Sequence, residues 1–79
     1  MHKVDISRVR PLYKGIPYDH PTHKAVVDLW RKQIREGCTL PPLKVIGEVG
    51  GGFAVKDGHH RLEAYRQEGI TEIAIVCNE

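Results

Sequence analysis

The feature that most limits how this chain can fold is a junction. Phe53-Ala54-Val55 reads as a strand, Asp57-Gly58 as a tight turn, and His59 to Gln67 as a short helix stopped by Gly69. Three cationic or protonatable side chains, His59, His60 and Arg61, fall in the first turn of that helix. A helix begins with unpaired backbone N–H groups and about half a positive charge, so cations there are disfavoured by about 0.3 to 1 kcal/mol each unless something negative sits nearby. Asp57 is a plausible N-cap, and Gly58 would let a ligand approach the backbone. The segment therefore reads as an anion site in which a phosphate accepts backbone N–H bonds, a charge-assisted bond from Arg61 and one from an inward-facing histidine. The plainer alternative has Asp57 capping the helix and neutralising Arg61, with both histidines solvated. A metal held by Asp57, His59 and His60 is the weakest reading, because adjacent helical residues point about 100° apart.

The rest of the chain supplies the frame. Val4 to Val9 alternates apolar and polar residues up to Arg10-Pro11 and predicts a first strand. Leu12 to His20 reads as a loop, with Tyr13, Ile16 and Tyr18 free to meet a partner or close over a ligand. A helix from Pro21 or Thr22 to about Glu36 carries Val26, Val27, Trp30 and Ile34 as one apolar stripe, with Gly37 as its stop. That stripe makes Trp30 an expected core residue. Leu43 to Ile46 and Phe53 to Val55 read as a hairpin joined through Gly47 to Gly52, and Glu72 to Cys77 as the closing strand. Gly50-Gly51-Gly52 precedes a strand and lacks a following Lys-Ser/Thr, so it reads as a turn rather than a phosphate loop. The order strand, helix, strand, strand, helix, strand predicts one small α/β (α+β) domain over residues 1–79, with helices on one curved sheet.

Composition narrows the function classes. A chain of 79 residues buries only about 60% of its unfolded surface, so any site should lie at an edge. No segment approaches the roughly 20 apolar residues of a membrane span, so a membrane partner is not expected. Cys38 and Cys77 have no metal-binding spacing, which suggests a reducing, cytoplasmic setting. Twelve Lys and Arg against ten Asp and Glu favour anionic partners only weakly, short of the basic stripe of a dedicated DNA-coating module. A homodimer is compatible with the chain.

Gly58-His59-His60-Arg61-Leu62-Glu63-Ala64 fits the pattern G-x-x-R-x-x-A, and here the sequence resembles the ParB/sulfiredoxin superfamily. Phe53-Ala54-Val55 resembles the strand entering that motif, and Glu68-Gly69-Ile70 through Ile75-Val76 the glycine stop and closing strand. Val9-Arg10-Pro11, Ile34-Arg35-Glu36 and Pro41 to Val45 resemble sulfiredoxin in order and spacing, so nearly the whole chain is covered. The resemblance implies a fold that binds nucleotide or phosphate, in a superfamily including CTP-using chromosome-partition proteins, an ATP-using sulfinic acid reductase and a free-serine kinase. It places Gly58, His60 and Arg61 at the phosphates of ATP or CTP. Asp57 would then help arrange the phosphates or Mg2+. His59 stands where sulfiredoxin has its catalytic cysteine, which removes the reductase chemistry. With no glutamate before Glu36, the kinase lacks its base. The alternatives that remain are a metal-dependent phosphoryl-transfer or ParB-like nuclease activity with Asp57 or His59 as acid or base, and a DNA-binding accessory role.

Overall fold

The computed structural model describes residues 2–77. A short strand β1 (His2–Asp5) is followed by a 3-10 turn (Ile6–Arg8), β2 (Val9–Pro11) and helix α1 (Pro21–Arg35). The hairpin strands β3 (Leu43–Gly47) and β4 (Phe53–Asp57), helix α2 (His59–Gln67) and β5 (Glu72–Cys77) complete the chain. The five strands form one mixed sheet in the order β1-β5-β3-β4-β2. β1 runs antiparallel to β5 and β3 antiparallel to β4, while β3 with β5 and β2 with β4 are parallel.

The single strand expected over Val4 to Val9 is two strands on opposite edges of the sheet. The Asp5 carboxylate accepts the Ser7 amide at 2.9 Å and starts the 3-10 turn between them. Short polar side chains that bond nearby backbone compete with the ladder in this way. Apolar alternation survives, because Val4 and Val9 both face the core, but the turn carries the chain from one sheet edge to the other.

Val9, Leu43, Val45, Val55, Ile73 and Ile75 from the strands meet Leu62 of α2 in the buried core, with Tyr65 packed against it. At about 25 cal/mol per Å2, covering such side chains is the main favourable term in a domain of this size. α1 lies chiefly against α2, and Val27 is its one fully buried residue. The rest of the expected α1 stripe is half-open: Val26 is 39% exposed and Trp30 only partly buried. Trp30 is thus a wall residue rather than a core one. Two further bonds tie α1 to the end of α2, with Arg31 Nε and Arg35 Nε each 2.7 Å from a different oxygen of the Glu68 carboxylate. Pro21 occupies the first helical position of α1 as expected, but the cap is His20, whose Nδ1 accepts the Thr22 amide at 3.4 Å.

Candidate functional site

The turn from β4 into α2 is built around Gly58, whose φ of 113° is closed to most L side chains. A Cβ there would lie 2.6 Å from Leu43 Cδ2, inside the core, and 3.2 Å from Arg61 Nη2. Gly58 itself is the N-cap, and among the described residues no side chain caps α2. The expectation that Asp57 caps the helix is therefore not met. Asp57 is the last residue of β4, paired with Lys44 across the ladder, one residue too early to turn its carboxylate onto the helix amides. The first amides of α2 keep their free N–H groups, since intrahelical bonding starts with Leu62 N donating to Gly58 O at 2.9 Å.

The three side chains of the first turn go different ways. His59 points inward and is 8% exposed. Its Nε2 accepts the Tyr13 amide at 3.2 Å, and its carbonyl accepts the Tyr18 hydroxyl at 3.4 Å, so one residue anchors both ends of the loop before α1. Burial, followed by the neighbouring His60, holds its pKa below the ordinary value, so the ring is neutral at neutral pH. A neutral imidazole accepting at Nε2 carries its proton on Nδ1. Nδ1 has no acceptor among the described residues, and none of their buried polar atoms lacks a partner. That N–H must therefore reach the accessible surface, where His59 lines a cavity.

His60 turns towards α1. Its Nε2 lies 2.8 Å from His23 Nδ1, with the rings stacked at a centroid distance of 5.1 Å. One proton is shared across that contact. Burial, then the nearby His23, lowers the His60 pKa. Tyr18 meets the His60 ring edge-on at 5.8 Å. Arg61 donates to the Pro41 carbonyl and places its guanidinium 5.3 Å from the centre of the Trp30 ring.

These groups border a cavity of about 270 Å3. Asp57 to Arg61 form its polar floor, and Ile16, Val26 and Trp30 its apolar wall. A larger cleft of about 410 Å3, lined by Tyr18, lies between α1 and α2. Its cations are already matched, Lys24 with Asp28 at 2.8 Å and Arg31 with Glu68 at 2.7 Å. The smaller cavity is the one with uncommitted donors. The structure thus brings Asp57, Gly58, His59, His60 and Arg61 to one rim, though only backbone amides, His59 and Arg61 offer donors free of a histidine partner. No group of three or more His, Cys, Asp or Glu suited to a metal ion occurs among the described residues.

His23 and the apolar wall escaped the sequence. His20 and His23 sit three apart in the first turn of α1, but nothing local indicates that this turn abuts the start of α2.

No family model matches the sequence, and no curated protein matches it either. Among solved structures, sulfiredoxin from Arabidopsis thaliana is similar with a TM-score of 0.74 at 22% identity, covering 99% of this chain and 83% of that one. Protein Atu1540 from Agrobacterium tumefaciens has a TM-score of 0.69 at 22% identity, covering 96% of this chain, which spans 38% of its length. At such identities the likeness concerns the fold. The chain has the ParB/sulfiredoxin-like fold that its sequence resemblance implies.

Proposed function

We propose that this protein binds a phosphate-bearing ligand, with nucleotides as the class the resemblance suggests, and that the phosphate sits at the N-terminus of α2. The observation that carries this reading is His59. Its tautomer is set by the Tyr13 amide, which leaves an Nδ1–H donor without a protein partner at the rim where the free amides of α2 begin. Arg61 adds a fixed positive charge. These donors are open to water in the free protein, and a phosphate oxygen would replace water with charge-assisted hydrogen bonds. His60 supplies a further donor once the pair with His23 gains a proton.

Thermal unfolding with ATP, ADP, CTP, inorganic phosphate and short DNA, each with and without Mg2+, tests the reading. A ligand at 100 times its Kd stabilises by about 2.7 kcal/mol, a shift of roughly 10 °C or more for a domain of this size. At least one phosphate compound is expected to give it, and Arg61→Ala to abolish it. If none raises the melting temperature, the reading fails. Released phosphate or nicked plasmid in the Mg2+ samples would turn a binding site into a phosphoryl-transfer or phosphodiester-cleaving one. Binding of DNA alone, falling steeply with salt, would favour a nucleic-acid role.

A further inference from the structure

The cavity beside the anion floor is divided by chemistry. Nearly all of its hydrogen-bonding groups belong to Asp57 to Arg61 and the helix amides. The rest of the lining is Ile16, Val26 and Trp30, which offers aliphatic and aromatic surface and, in Trp30, a single indole N–H. At about 270 Å3 the space is just below the roughly 300–1,000 Å3 of sites that enclose drug-sized ligands. A nucleotide brings a ribose with two hydroxyls and a base whose edge is all donors and acceptors. Set against this wall, the ribose hydroxyls would lose water without gaining partners, which is costly, and the base could use only its face while its polar edge stays in solvent. An apolar group would instead cover surface that is now wet, since Val26 is 39% exposed.

Resting on the phosphate reading above, we infer that the ligand class is a small phosphate monoester carrying an aromatic or aliphatic group, with the phosphate on the α2 floor and the apolar group against Ile16, Val26 and Trp30. Arg61 links the two halves of the site, because its guanidinium lies against Trp30 while its Nη2 lies beside Gly58. The phosphate charge and the apolar packing are therefore read at adjoining points.

The experiment titrates phenyl phosphate, inorganic phosphate, ribose 5-phosphate, CMP and ATP into the full chain by calorimetry. Trp30, the sole tryptophan, supplies an independent fluorescence signal. Phenyl phosphate is expected to bind at least tenfold tighter than inorganic phosphate and ribose 5-phosphate, and to be the compound that changes Trp30 emission most. Val26→Asn, a change at an already exposed position, should remove most of that tenfold advantage and leave the affinity for inorganic phosphate unaltered. If ribose 5-phosphate, CMP or ATP binds as tightly as phenyl phosphate, or Val26→Asn weakens all compounds equally, the ligand class is wrong while the phosphate site stands. If no compound binds, both fail together.

Discussion

Replacing Gly58 by alanine should damage the fold through two separable effects. The first is conformational: a φ of 113° is strained for an L residue by about 1–3 kcal/mol. The second is steric, because the added Cβ would stand 2.6 Å from Leu43 Cδ2. Leu43 has no exposed surface and cannot swing out of the way, so the clash must move the core or the start of α2, at a cost typical of overpacking, about 1–3 kcal/mol. Gly50 separates the two terms. Its φ of 97° is comparably strained, but a Cβ there meets nothing within 4 Å. Gly50→Ala therefore measures strain nearly alone, and the difference between the variants measures the clash. At about 4–8 °C per kcal/mol for a domain of this size, Gly58→Ala should melt at least roughly 4 °C below Gly50→Ala. Thermal unfolding followed by circular dichroism decides the matter, with urea midpoints as a check. Equal melting temperatures for the two variants would refute the steric account and with it the claim that glycine at 58 is demanded by the core.

Other perturbations have defined signs. The Arg35 and then the Arg31 hydrogen bond hold the Glu68 carboxyl below its ordinary pKa. A depressed carboxylate adds stability that is present above its unfolded pKa of about 4.3 and lost as pH falls through the folded value. The gap in urea midpoint between the wild type and Glu68→Gln should accordingly be open at neutral pH and close in acid; a gap independent of pH would count against the clamp. For His59 and His60 the folded pKa values lie below the unfolded value of about 6.5, so the unfolded chain binds more protons as pH drops beneath it. The ligand-free protein should lose stability below about pH 6.5, and saturating phosphate, which favours the protonated His23–His60 pair, should reduce that loss. Since His23 contributes to the low His60 value, His23→Gln should raise the His60 pKa in an NMR titration while leaving the part due to burial. Leu62→Ala should cost about 2–5 kcal/mol, because the side chain is 1% exposed at the centre of the core.

What could be read from the sequence follows the range of the forces involved. The α2 boundaries, the hairpin, Pro21 at the start of α1 and the glycine stops are set by neighbours a few residues apart, and local pattern sufficed for them. The split of the first strand was missed because Asp5 and Ser7 fit an alternating strand as well as they fit a 3-10 turn, and the deciding pairing is with residues near 72, at the far end of the sequence. Trp30 was misplaced for a related reason. Periodicity identifies the apolar face of α1 but not what covers it, and α2 covers only the part around Val27. At the site, the charge of the helix start is legible from three consecutive residues, His59 to Arg61, whereas the contact of His23 with His60 joins residues 37 apart.

His59 shows why the local electrostatic reading needed the fold to complete it. Counted with His60 and Arg61, it looks like one of three cations crowding a positive helix end. In the structure its Nε2 is committed to accepting the Tyr13 amide, and protonating that nitrogen would set two N–H groups against each other. The ring can hold the 13–18 loop only while neutral. The full positive charge at the α2 start therefore comes from Arg61 and, when protonated, from the His23–His60 pair, while His59 contributes a directed donor and ties the loop that carries Ile16 to the floor beneath it. Anchoring and ligand contact thus run through opposite nitrogens of one ring. A change at His59 should loosen the wall and remove the donor together, whereas a change at Arg61 should remove charge and leave the loop in place.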